Sequence, residues 1–149
     1  MKYRILPVTP FQQNCSLIWC ESTGKAALID PGGEAERLID ATEREGVQLE
    51  KLLLTHGHLD HVGAARAVAD RLGVPVEGPH EADRFWLDSL HQQSTMFGFP
   101  PVEPFLPERW LTDGETICVG KLTLEVRHCP GHPPGPVIFP PAGPATPLV

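Results

Sequence analysis

Three histidines and one aspartate fall within six residues, His56-Gly57-His58-Leu59-Asp60-His61. Imidazole nitrogen and carboxylate oxygen are the usual donors to zinc and related hydrolytic metals. Isolated histidines are common in cores and on surfaces, but four donors at this spacing point to metal. On an extended or looping backbone, His56 and His58 can converge on one ion. A third neutral imidazole at His132 would complete a three-ligand set and leave a position for water, as in catalytic zinc sites. Asp60 and His61 could hold a second ion nearby. The chemistry expected of such a pair is attack by metal-bound hydroxide on an acyl carbon, with the carbonyl polarised by the metal. Asp60 and His58 are the residues expected to carry catalysis.

His132 sits in a second stretch with chemical potential, His128-Cys129-Pro130-Gly131-His132-Pro133-Pro134-Gly135. Its prolines and glycines shape a rigid turn, which suits a ligand. His128 reads as structural or as a support for a ligand. Cys129 reads as buried packing beside the site, because no base is at hand to activate it as a nucleophile. Asp30, in Asp30-Pro31-Gly32-Gly33, has two readings. It is a turn-capping aspartate, or it is a carboxylate that orients a ligand histidine.

These residues need a scaffold, and the pattern around them supplies one. Tyr3–Val8, Cys15–Cys20 and Lys25–Ile29 read as three strands of a hairpin or meander. Leu38, Ile39 and Thr42 recur at helical spacing, so Ala35–Glu45 is a predicted helix, stopped at Gly46. Val47–Leu54 is a strand whose leucine-rich end fits burial between layers. The histidine-rich loop leaves the carboxyl end of that strand, a common place for a site in α/β folds. Gly63–Leu72 is a second helix, and Val74–Gly78 a short strand and turn. The alternation implies an α/β fold, a sheet covered by helices. Pro79–Met96 is a further helical segment, with Phe85 and Trp86 as core or lid packing, and residues 97–107 read as loop. Ile117–Val119 and Leu122–Val126 form a hairpin, and Val137–Phe139 begins one more strand. Four prolines in residues 140–149 keep that tail out of any central strand, so it is expected to be extended or disordered.

A chain of 149 residues can bury one core without disulfide staples. Its net charge of -7 argues against a nucleic-acid partner. The four cysteines lack CxxC spacing and read mostly as reduced, small hydrophobic residues. No apolar run approaches membrane-spanning length, so no membrane partner is expected and the default location is cytoplasmic.

Together the motifs carry a family resemblance. Thr55-His56-Gly57-His58-Leu59-Asp60-His61 matches the hallmark HxHxDH motif of the metallo-β-lactamase superfamily, and HCPGHPPG at 128–135 resembles its next metal-binding turn. The opening YRILPVTPFQQNCSLIW, the later ALIDPGG and the stretch FWLDSLHQQSTMFGF at 85–99 are similar to the glyoxalase II-like branch, the hydroxyacylglutathione hydrolases. The resemblance implies an αββα sandwich, with the N-terminal half complete and the C-terminal half incomplete, in one domain over residues 1–139 followed by the proline-rich tail. It implies His56, His58 and His132 on one metal, and Asp60 and His61 on the other. The metal would be zinc, with iron or manganese also known in this branch. The substrate would be a small thioester of the S-lactoylglutathione type.

The chain also departs from that pattern. Proline stands at 133 and 136, and no aspartate or histidine follows Phe139, where the family has a metal-bridging aspartate and a late histidine. The second site is therefore expected to be short of ligands. The alternatives are a catalytically weak or inactive metal-binding fragment, or another hydrolase or persulfide oxidase of the superfamily. An uncovered apolar sheet face would favour a homo-oligomer.

Overall fold

The computed structural model describes residues 1–8, 13–129 and 137–140. His132, Pro133, Pro136 and the tail after Pro140 lie outside the described residues, as do the expectations attached to them. In chain order the elements are β1 (Lys2–Val8), β2 (Gln13–Trp19), β3 (Lys25–Ile29), α1 (Ala35–Glu45), β4 (Gln48–Leu53), α2 (Leu59–Val62), α3 (Ala65–Leu72) and β5 (Val76–Glu77). A 3-10 turn (Glu81–Asp83), α4 (Arg84–Asp88), α5 (Leu90–Met96), β6 (Thr116–Val119), β7 (Leu122–Glu125), β8 (Arg127–His128) and β9 (Val137–Ile138) follow.

The first five strands form one sheet in sequential order. β1, β2 and β3 are antiparallel neighbours, as the short connections between them require. β3, β4 and β5 are parallel, and each parallel step is bridged by helix, α1 first and then α2 and α3. The strands alternate as a two-faced sheet must. Leu17, Leu28 and Leu52 face the helices, where Leu38, Val62 and Val68 complete a core. Ile18, Ala27 and Leu53 face the other way, against Leu111, Ile117, Val119, Leu124, Val126, Val137 and Phe139. The molecule is thus layered as helices, five-stranded sheet and a second layer built from two small two-stranded sheets, β6-β7 and β8-β9. The fold is α/β of the expected sandwich kind, with its first half complete and its second half partial.

The second layer covers much of the sheet face that the sequence leaves unpartnered. It stops short of the edge strand. Tyr3 pairs in register with Ile18, so both point to the same face, yet Tyr3 and Ile5 stay 47% and 41% exposed.

Two expectations need correction, and a third is refined. The helix expected over Gly63–Leu72 forms as α3 from Ala65, and the metal-motif loop before it winds into a separate short helix, α2. The segment Pro79–Met96 breaks at Ser89, whose backbone leaves helical geometry. There Ser89 Oγ and Gln93 Nε2 both donate to the Trp86 carbonyl, which competes with the helical ladder. Cys129 is exposed, not buried, with Cys118 likewise exposed, while Cys15 and Cys20 are buried. Cys129 directly follows the two-residue strand β8 at the margin of the second layer.

Candidate metal centre

The site grows from the carboxyl ends of two neighbouring parallel strands. β3 ends at Ile29 and β4 at Leu53, and the Asp30 amide donates to the Leu53 carbonyl at 2.9 Å. Asp30 has φ 57, a left-handed conformation that costs a residue with a Cβ about 1 kcal/mol. Its carboxylate, 5% exposed, has bonds that offset this. Oδ1 accepts from the Thr55 amide at 2.8 Å. Oδ2 accepts from the Thr55 hydroxyl at 2.6 Å and from His61 Nδ1 at 2.9 Å.

A carboxylate only accepts, so His61 carries its proton on Nδ1. The single Thr55 hydroxyl proton goes to Asp30, so Thr55 Oγ1 accepts from His56 Nδ1, 2.9 Å away. Both rings are therefore held as Nδ1–H tautomers with the Nε2 lone pairs free, the arrangement a metal-binding histidine needs. Asp30, His56 and His61 place donor atoms within 4.8 Å of one another, the one such group of three among the described residues. The His56 and His61 rings lie 3.8 Å apart. The two readings of Asp30 are both realised: it makes the turn, and its side chain orients His61.

Electrostatics separates the two histidines. Burial, then the neighbouring His61, pushes the His56 pKa down to about 4, which keeps it neutral and able to donate a lone pair. For His61, burial also works against the charged form, but hydrogen bonding and attraction from Asp30, with Asp60, raise it overall.

His58 and Asp60 flank this pair. The His58 ring is 4.9 Å from that of His56 and packs edge-on against Trp86 at 4.4 Å. Asp60 Oδ2 lies 3.6 Å from His61 Nε2. The described part of the molecule thus gathers His56, His58, Asp60 and His61 in one place. His128, by contrast, stacks on His80 at 3.9 Å.

The loop is clamped from outside by residues that the sequence did not single out. Asp83, fully buried, accepts from the Gly57 amide at 2.9 Å. Gln93 Oε1 accepts from the Leu59 amide at 2.9 Å. Two glycines make room for the clamp. A Cβ on Gly32 would stand 1.8 Å from the Asp60 carbonyl oxygen, and one on Gly57 would stand 2.8 Å from Trp86 Cβ. The second layer also reaches the site, because the Val137 amide donates to the Thr55 carbonyl at 2.7 Å. Beside His58 and Asp60 opens a cavity of about 590 Å³, walled by Trp86, Met96 and Phe97.

The sequence model of the metallo-beta-lactamase superfamily matches residues 8–139. The chain belongs to that superfamily. Its metallo-beta-lactamase fold implies a divalent metal, and the donor set fits one: two imidazoles with fixed tautomers, a third imidazole and a carboxylate beside them. Similar proteins include the hydroxyacylglutathione hydrolase GloC of Haemophilus influenzae, 50% identical over 140 residues, which are 93% of this chain and 66% of that protein. A probable metallo-hydrolase of Bacillus subtilis, YqgX, is 32% identical across 93% of this chain and 65% of its own length. Among solved structures, the B3 metallo-beta-lactamase BLEG-1 superimposes with a TM-score of 0.81 at 35% identity, over 94% of this chain and 67% of that one. Another, crystallised in a di-iron-bound form, gives 0.79 at 33% identity, over 91% and 65%. The chain spans about two thirds of the length of these relatives. No helix among the described residues is long and apolar enough to cross a membrane.

Proposed function

We propose that the chain is a metal-dependent hydrolase of small thioesters of the S-lactoylglutathione type. The observation that carries this is the tautomer-fixed His56–His61 pair with Asp60 and His58 at the mouth of a cavity. The likeness to GloC, named a hydroxyacylglutathione hydrolase, supplies the substrate class. His56, His58 and His132 would hold one ion, and Asp60 and His61 a second. Zinc fits this donor set, as do iron and manganese. When bound, the metal supplies a Lewis acid that polarises the carbonyl and activates water.

The chain's own residues set up the rest. Asp30 and Thr55 fix the ring orientations through Nδ1. Trp86 seats His58 edge-on at the cavity. Asp60 would take a proton from the attacking water and return it to the departing sulfur. Water adds to the acyl carbon, the C–S bond breaks with its electron pair on sulfur, and the products are a carboxylate, a free thiol and one proton.

The test is thiol release from S-lactoylglutathione by the zinc-loaded chain, with His58→Ala alongside. Turnover that falls at least about 100-fold in the variant supports the assignment. No turnover by fully metal-loaded protein overturns it and leaves a metal-binding chain without this activity. Unpaired thiols at the four cysteines suit the reducing cytoplasm. Exposed Tyr3 and Ile5 on edge strand β1 suit self-association, and a monomer by sedimentation across a wide concentration range would count against it.

A further inference from the structure

The cavity beside the metal motif is strongly two-ended. One end is His58, Leu59 and Asp60; the rest of its described wall comes from the α4–α5 segment, with Trp86, Met96 and Phe97 as its large side chains. Met96 and Phe97 are 78% and 52% exposed, an unusual cost for large hydrophobics unless they meet something apolar. Of the uncharged polar side chains on this wall, Ser89 and Gln93 are engaged within the protein, while Gln92 is exposed. Gln93 accepts from the Leu59 amide and donates to the Trp86 carbonyl and Ser89 Oγ. Ser89 Oγ donates to the same Trp86 carbonyl. The Trp86 indole Nε1 is shut off from solvent, with no partner among the described residues, so it offers a ligand no polar handle. No lysine or arginine among the described residues lines the cavity. A charged headgroup therefore finds no counter-ion there.

We infer that this cavity is the acyl-side subsite and that it selects thioesters whose acyl group carries an uncharged hydrocarbon, an alkyl chain or an aryl ring. This rests on the hydrolase reading above. The reacting carbonyl sits at the His58–Asp60 end, the hydrocarbon runs along Trp86 towards Met96 and Phe97, and the thiol carrier points away from the α4–α5 wall. The volume, about 590 Å³, falls within the roughly 300–1,000 Å³ of pockets that hold drug-sized ligands. A lactoyl group would fill only a small part of it.

The experiment uses the zinc-loaded full chain and thioesters of a single thiol, glutathione, with lactoyl, butyryl, hexanoyl and octanoyl groups. A buried methylene contributes about 0.8 kcal/mol, so kcat/KM should rise two- to fourfold per methylene until the cavity is full. In Met96→Ser, a substitution at an exposed position, the octanoyl-to-butyryl ratio should fall severalfold. A parallel calorimetric titration with the non-hydrolysable thioethers S-methylglutathione and S-hexylglutathione reads the subsite without turnover. The hexyl compound should bind at least tenfold more tightly, and less so in Met96→Ser. Hydrolysis with a flat or falling chain-length series overturns the subsite assignment and leaves the hydrolase reading standing. Absence of all hydrolysis, with length-dependent thioether binding that Met96→Ser weakens, overturns the hydrolase reading and keeps the hydrocarbon-binding cavity. Equal affinity for the two thioethers, with no hydrolysis, overturns both.

Discussion

The two walls of the site are built by opposite means. On the strand side, Asp30, Thr55, His56 and His61 form a continuous chain of hydrogen bonds, 2.6 to 2.9 Å long, rooted in the carboxyl ends of β3 and β4. On the helix side, Trp86, Met96 and Phe97 present hydrocarbon on two short helices that break at Ser89. One wall is fixed by bonds that engage the Asp30 carboxylate, the Thr55 amide and hydroxyl and both Nδ1 atoms. The other has its hydrogen bonds spent within its own helices and on the Leu59 amide, and faces the cavity with exposed hydrocarbon, Met96 among it, that can repack around different ligands. The contrast suggests a division of labour: chemistry is placed by the wall that cannot move, and selectivity by the wall that can.

The sharpest way to break this contrast is to change one residue in each wall. Gly32→Ala would drive a Cβ into the Asp60 carbonyl, 1.8 Å away. A backbone atom cannot swing aside, so the variant should lose about 3 kcal/mol in urea denaturation. Met96→Ala, on the opposite wall, should change stability by less than about 0.5 kcal/mol. Similar losses in the two variants would show that the walls are equally rigid.

Asp30→Asn comes next. Asparagine also tolerates the left-handed backbone at φ 57, so the turn survives. Its amide nitrogen cannot accept the bonds that one carboxylate oxygen takes. Zinc affinity, measured by competition with a chromophoric chelator, should fall 10- to 100-fold. Unchanged affinity would reduce Asp30 to a turn cap. Thr55→Val is a milder cut in the same chain. It removes the acceptor for His56 Nδ1 and leaves the backbone bond from residue 55 to Asp30 in place. A loss of about tenfold in zinc affinity is expected, restored in Thr55→Ser.

How legible was this in the residues themselves? The helix spacing of Leu38, Ile39 and Thr42, the strands at β1 to β4 and the metal motif at the end of β4 were all readable, because local periodicity and turn chemistry dictate them. The split at Ser89 was not, because it depends on which carbonyl Gln93 reaches once the chain has folded. Asp83 and Gln93 escaped notice for the same reason. Their bonds to Gly57 and Leu59 span 26 and 34 residues, and no local pattern encodes a contact at that distance. Asp30 lies between the two cases. Its turn was visible in Asp30-Pro31-Gly32-Gly33, but its grip on His61 required the parallel pairing of β3 with β4. The second layer was legible as a hairpin, though not as the cover for Ile18, Ala27 and Leu53.

Gln93 joins the two walls, and its substitution tests whether they act separately. Its amide bonds the Leu59 amide on the metal-motif side and the Trp86 carbonyl and Ser89 hydroxyl on the other. Gln93→Leu keeps a side chain of similar reach and deletes all three bonds. The half-buried position lets water serve part of what is lost, so the stability cost should be about 1 kcal/mol. The orientation of His56 and His61 comes from Asp30 and Thr55, to which Gln93 makes no bond. Zinc affinity should therefore stay within about twofold of the parent, while the preference among acyl chains broadens as Trp86 and its helix loosen. If zinc affinity instead falls as far as in Asp30→Asn, the two walls are one cooperative unit, and the helix side positions the metal ligands as much as the strands do.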